Sequence, residues 1–210
     1  MRPIWWNEAQ NHLVDVEPKF IALLEHASTI PWRDPGRPFS SLARAVIGQQ
    51  ISVSAAASVW EKILALSQSS NEIPPSPMSI RALPHQALRE CGVSLRKSEY
   101  LHALADYFLN PDFSEVQFLK MGDEEILAEL TSIRGIGRWT GEMFLMFHLH
   151  RPDVLPIGDL GLRTAAGRLF GNGTAMPAPE VKILAQPWRP FATAATWLLW
   201  RSTSVPVTII

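Results

Sequence analysis

Apolar residues recur along this chain at intervals of three and four and almost nowhere alternate one by one, so the pattern predicts helices and no sheet. The spacing predicts helices over Pro18–Ala27, with Asp15 as a candidate cap, over Phe39–Ile47, and over Val53–Leu66, a stretch rich in Ala and Ser. Ser67–Ser79 carries Pro74, Pro75 and Pro77 among Ser and Asn, which breaks helical continuity and marks a surface loop and the best candidate linker. Helical spacing resumes over Ile80–Arg89, Leu95–Leu109, Asp123–Leu130, Arg138–His148, Leu160–Phe170, Pro179–Ala185 and Phe191–Arg201. Eight or more short helices and no internal repeat make an all-α chain. Its β-branched, apolar end, Val205–Ile210, is expected to be a packed tail.

Composition narrows the class. With 210 residues, 47% of them hydrophobic and 19% charged, the chain can bury a core and is neither disordered nor in need of disulfide staples. The single cysteine, Cys91, excludes an intrachain disulfide, a Cys-based zinc site and a four-cysteine iron–sulfur cluster. No apolar run is long enough to span a bilayer, and the first residues lack the apolar stretch of a signal peptide, so a cytoplasmic location is expected. The net charge of −1 conceals an asymmetry: residues 1–130 hold 11 Lys/Arg against 16 Asp/Glu, and residues 131–210 hold 8 against 4. The second part is the one suited to face a polyanion, although any chain cut at a chosen point shows some imbalance.

Chemistry concentrates after Leu130. Gly135 and Gly137 bracket Ile136 between two predicted helices, where glycines adopt backbone angles that strain other residues. A helix starting there points its unpaired N–H groups and positive dipole end outward, which suits a phosphate, and Arg134 and Arg138 add charge. Gly-x-Gly alone is equally an ordinary connection between helices.

The run from Leu130 to Thr140, Leu-Thr-Ser-Ile-Arg-Gly-Ile-Gly-Arg-Trp-Thr, resembles the hairpin of the helix-hairpin-helix DNA glycosylases. Leu155-Pro-Ile-Gly-Asp-Leu-Gly-Leu-Arg163, placed some twenty residues after Trp139, is similar to the segment that carries that superfamily's catalytic aspartate. Phe39–Ser52, with its Gly-Gln-Gln-Ile-Ser, resembles the alkylbase, or DNA-3-methyladenine, branch. The three segments lie in the family's order, and the likeness covers roughly residues 10–205 without the extra N-terminal domain of longer members. Two departures stand out: Arg134 occupies a position where the family often has Pro, and Gly158 one where some relatives have a second aspartate.

The resemblance implies a two-lobed, all-α glycosylase, one domain over 1–210 with the helix-hairpin-helix at about 123–148 and the flipped base in the cleft between lobes. Asp159 would be the catalytic carboxylate, stabilising positive charge on the sugar or orienting water. By position alone Asp159 is a helix N-cap, and the two roles are compatible. Trp139 and Trp200 would sandwich the base, with Met143 beside them, since an alkylated purine is cationic and is drawn to an aromatic face. The other tryptophans, Trp5, Trp6, Trp32, Trp60, Trp188 and Trp197, are expected to be structural. In bifunctional relatives a lysine stands two residues after the second glycine; Trp139 stands there here, which implies a monofunctional hydrolase of the 3-methyladenine glycosylase II type that leaves an abasic site.

Gln50 would fill the gap left by the extracted nucleotide, with Ser52, Gly135, Gly137, Arg138 and Thr140 also contacting DNA. From the residues alone, Gln49 and Gln50 equally fit hydrogen bonds within a turn, and Ser52 fits a cap. No cofactor is required by this chemistry. The family's alkali cation would sit on the backbone carbonyls of Thr131, Ile133 and Gly135. Histidines 12, 26, 85, 102, 148 and 150 show no transition-metal grouping, His148 and His150 diverging on a helix. The expected partner is double-stranded DNA with alkylated bases, met by a monomer with no membrane association. A glycosylase for deaminated bases such as hypoxanthine or uracil, and a non-catalytic binder of DNA structure, are the rival readings.

Overall fold

The computed structural model describes residues 2–27, 32 and 36–202, and every regular element among them is helical. The tail expected at 205–210 lies outside the described residues. The chain divides into two compact units, one formed by the described residues of 1–34 and 145–207 and the other by those of 35–144. The boundaries do not fall at the proline-rich loop. That loop lies wholly within the second unit, so its role as a linker is withdrawn.

The first unit contains α1 (Trp6–Val16), α2 (Phe20–Ala27), α11 (Leu160–Phe170), α12 (Ala178–Leu184), a single 3-10 turn at Gln186–Trp188, and α13 (Ala192–Ser202). Residues 192–200 of α13 are all buried, so this helix forms the unit's centre, with α1, α2 and α11 packed around it. Small side chains at Ala192, Ala194 and Ala195 let neighbours approach, while Trp197 stacks on Trp32 at 5.3 Å and meets the edge of Trp6 at 5.2 Å. Losing an indole from such a core costs on the order of 3–5 kcal/mol. Trp6, Trp32, Trp188 and Trp197 are core residues as expected, and so is Trp60 in the other unit.

Helix α1 is absent from the elements expected from periodicity, although Trp6, Ala9 and Leu13 bury one face at helical spacing. Polar Asn7, Glu8, Gln10, Asn11 and His12 between them obscure that stripe. Asp15 therefore lies inside α1 and does not cap the next helix, which begins at Phe20.

The second unit contains α3 (Pro38–Gly48), α4 (Val53–Leu66), α5 (Pro77–Ala82), α6 (His85–Glu90), α7 (Leu95–Leu109), α8 (Glu115–Phe118) and α9 (Asp123–Ser132). Helix α7 is its axis, packed against α3, α5 and α6 through a face that includes Leu101, Leu104 and Ala105. The helix expected over Ile80–Arg89 is two helices, because Pro84 cannot continue α5 and instead precedes α6. Pro77 opens α5 as its first residue, with the Ser76 hydroxyl accepting the Ser79 amide at 3.1 Å, so the loop ends sooner than its prolines suggested. Helix α10 (Arg138–Phe147) starts in this unit, and its last three residues belong to the first.

Candidate functional site

Asp159 is the N-cap of α11, as its position predicted. Its Oδ1 accepts the Leu162 amide at 2.6 Å and the Trp200 indole N–H at 2.8 Å. The short extended segment before it is fixed from both sides. Thr193, near the start of α13, accepts the Val154 amide at 2.9 Å and donates to the Arg151 carbonyl at 2.7 Å. The Asp159 amide bonds the Pro156 carbonyl at 2.9 Å. Two N–H donors on one oxygen fix the plane of the carboxylate, and the start of α11 adds the positive end of a helix dipole.

Gly161, not among the residues expected at the site, is what allows this arrangement. A Cβ at that position would lie 3.1 Å from Asp159 Oδ1 and 3.2 Å from Trp200 Nε1. The available signal was a glycine in the first turn of a helix, where it weakens the helix unless space is needed.

Trp200 was expected as an aromatic wall. It also orients the carboxylate: the residue is 4% exposed, its ring stacks on Phe147 at 6.0 Å, and its N–H is given to Asp159.

In the second unit, α9, the turn over 133–137 and the start of α10 form the expected helix-hairpin-helix. Only one of the two glycines has the conformation predicted for both. Gly135 has φ +96°, and a Cβ on it would fall 2.1 Å from the Tyr100 ring. Gly137 lies outside the left-handed region, and a Cβ there would meet open space. The Gly137 carbonyl accepts the first α-helical bond of α10, from Gly141 at 3.1 Å, which leaves the amides of the first turn to partners outside the helix.

Arg138 was expected to contact DNA and add charge at the turn. Its guanidinium is already bound by Glu124 through two contacts, at 2.8 and 3.2 Å, and by Glu142 at 3.1 Å. The Arg138 hydrogen bond holds the Glu124 carboxyl below the usual carboxylate range. Arg134 pairs with Glu99 at 2.8 Å. Trp139 is half-buried one turn before Met143, which is 1% exposed. Thr140, two residues into α10, is buried at 3% exposed.

The Gly48–Ser52 bend connects α3 to α4. Gln50 is exposed with φ +59°, and Gln49 turns the other way, its amide donating to the Gly135 carbonyl at 3.0 Å. Ser52 caps α4, accepting the Ala55 amide at 3.2 Å. Of the carbonyls named for a cation, that of Gly135 thus has one donor and that of Ile133 accepts the Ile136 amide at 3.0 Å. Each oxygen retains a second lone pair, and hard neutral oxygens fit an alkali ion. His148 and His150 lie beyond the end of α10, not on it as expected, and no group of three His, Cys, Asp or Glu suited to a metal occurs among the described residues. No helix among those residues is long and apolar enough to cross a membrane.

Comparison with known proteins gives the family and the fold. Residues 43–190 match the model of the HhH-GPD superfamily of base excision DNA repair proteins. The chain is 32% identical over 201 residues to an alkylbase DNA glycosidase-like protein, mag2, of Schizosaccharomyces pombe, covering 93% of each. It is 33% identical over 171 residues to the same organism's DNA-3-methyladenine glycosylase 1, covering 80% of this chain and 73% of that one. Among solved structures, the 3-methyladenine DNA glycosylase Mag1 of that yeast in complex with abasic DNA superposes with a TM-score of 0.83 at 30% identity, over 95% of this chain and 98% of the other. The chain belongs to the HhH-GPD superfamily of base excision DNA repair proteins.

Proposed function

We propose that this protein is a monofunctional DNA glycosylase that hydrolyses the N-glycosidic bond of alkylated purines such as 3-methyladenine and 7-methylguanine, leaving an abasic site. The observation that carries this reading is the Asp159 carboxylate, held at a helix N-terminus by the Leu162 amide and the Trp200 indole. The relatives' names supply the substrate class: 3-methyladenine glycosylases and an alkylbase glycosidase-like protein.

The chemistry asks little of an acid. In an alkylated purine the ring is already cationic, so the electrons of the breaking C1′–N bond neutralise it and the base leaves uncharged. Positive charge passes to the sugar, where a fixed carboxylate stabilises it without having to reorganise. A water adds its oxygen to C1′ and gives up a proton to Asp159 or to solvent. Trp139 has no amine to attack the sugar, so strand cleavage through a Schiff base is not expected. Trp139 and Trp200 are the indoles offered to the cationic base, with Met143 beneath Trp139 on α10.

DNA is held by the second unit. The amides at the start of α10, with Gly135, Gly137 and Arg138, meet the phosphates, Gln50 enters the gap, and Ser52 supports the bend behind it. The carbonyls of Thr131, Ile133 and Gly135 would hold an alkali cation whose charge favours a phosphate at the turn. The protein acts as a monomer on duplex DNA and needs no other cofactor.

The test is chromatography of the bases released from methylated duplex DNA, beside undamaged DNA and duplexes containing hypoxanthine or uracil. Release of 3-methyladenine or 7-methylguanine with an intact strand is expected. Release of hypoxanthine or uracil alone would move the substrate to deaminated bases, and salt-sensitive binding with no release would make the chain a DNA-structure binder.

A further inference from the structure

The two elements assigned above to DNA, the Gly48–Ser52 bend and the 133–137 turn, are braced by a single helix end. Lys97, in the first turn of α7, donates from Nζ to the carbonyls of Ile47 at 2.7 Å and Gln49 at 2.6 Å. These are terminal carbonyls of α3, which have no partner within the helix, and an ammonium there also meets the negative end of the helix dipole. Three residues along the same face of α7, the Tyr100 ring occupies the space that a Cβ on Gly135 would need. The Gln49 amide closes the loop by bonding the Gly135 carbonyl at 3.0 Å. The next residue is Gln50, held at φ +59°, a left-handed conformation that non-glycine residues adopt only at a cost.

We propose that Lys97 is a positioning residue for Gln50, fixing the end of α3 so that the gap-filling side chain is set against the hairpin before DNA arrives. Burial lowers the Lys97 pKa, as desolvation does to an ammonium drawn towards carbonyls and away from water. That expense sits at the one helix end that leads into Gln50. A backbone already set in its working conformation avoids the entropy of being ordered on binding. This inference rests on the reading of Gln50 as the residue that enters the gap.

The experiment uses a duplex with a tetrahydrofuran abasic site opposite 2-aminopurine, whose fluorescence reports filling of the gap, and an undamaged duplex of the same sequence. Wild type, Gln50→Ala, Lys97→Met and the double variant are titrated on both. Gln50→Ala is expected to lose about tenfold in affinity for the abasic duplex, the equivalent of one interaction made only there. Lys97→Met is expected to reproduce most of that loss and of the fluorescence change, to bind undamaged DNA within about twofold of wild type, and to add nothing in the Gln50→Ala background.

Wild-type behaviour of Lys97→Met on the abasic duplex would overturn the proposal. So would a loss of equal size in both backgrounds, which describes a general structural residue. If Gln50→Ala itself binds like wild type, the gap-filling reading is wrong and the Lys97 proposal falls with it; only that failure appears in the Gln50 single variant. Should Lys97→Met fail to fold, Gln49→Ala breaks the same brace from its other side and carries the same test.

Discussion

The Asp159 corner and the hairpin use opposite physics. Asp159 Oδ1 accepts from two neutral donors, an amide and an indole, in a half-buried setting beside a helix of buried residues. The hairpin is surrounded by charged groups that largely satisfy one another, Arg138 with Glu124 and Arg134 with Glu99 at the surface, and Arg138 also with the buried Glu142. An amide and an indole orient a carboxylate without bringing a formal charge of their own. Paired surface charges, worth little each, are exchangeable for phosphates. On the proposed reading, the carboxylate chemistry falls to one unit and the grip on DNA to the other, and each variant below is a way to break that division.

Asp159→Asn should have the largest effect. It removes the charge and keeps the shape, and a loss of about 100- to 1,000-fold in single-turnover base release is expected. Affinity for abasic duplex DNA should remain. Gly135→Ala should act the other way. Its Cβ collides with the Tyr100 ring at 2.1 Å and its φ is +96°, so a loss on the order of 3 kcal/mol in folding stability is expected, read by thermal melting. Weaker DNA binding should accompany it.

Trp200→Phe removes one N–H from the carboxylate and should slow base release by about tenfold with DNA affinity unchanged. A loss of affinity instead would place Trp200 in the grip. The smallest effect is expected from Glu124→Gln. With a carboxylate removed beside the phosphate site, affinity for any duplex should rise by about two- to threefold and the salt dependence should steepen. Its pH dependence has a definite sign. Because Arg138 holds the Glu124 pKa down, the pair stabilises the fold above the ordinary glutamate range. That contribution disappears as pH falls through the lowered value, and the variant should lack this step.

Much of this was legible in the sequence because both sites lie within short stretches of chain. Asp159 as a cap, Ser52 as a cap and the turn at Gly135 follow from local rules, and the structure has all three. Contacts between distant residues were not legible. The bond from Trp200 to Asp159 spans 41 positions and that from Lys97 to Ile47 spans 50, and periodicity says nothing of such pairings. The pairing of Arg138 with Glu124 was hidden for the same reason, because Glu124 is fourteen residues upstream on another helix. Helix α1 was missed because its apolar face is only three residues wide, and Pro77 and Pro84 were misjudged because proline opens helices as well as ending them.

The central claim is that the Asp159 carboxylate faces a positive charge developing on the sugar. The most direct measurement compares binding to two duplexes that differ only at one nucleotide, a neutral tetrahydrofuran or a cationic pyrrolidine that mimics the charged sugar. Wild type is predicted to prefer the pyrrolidine by at least about 100-fold, as enzymes prefer transition-state mimics, and Asp159→Asn to lose that preference while binding the tetrahydrofuran duplex as before. Equal affinity of wild type for the two duplexes, or a preference that survives in Asp159→Asn, would contradict the account.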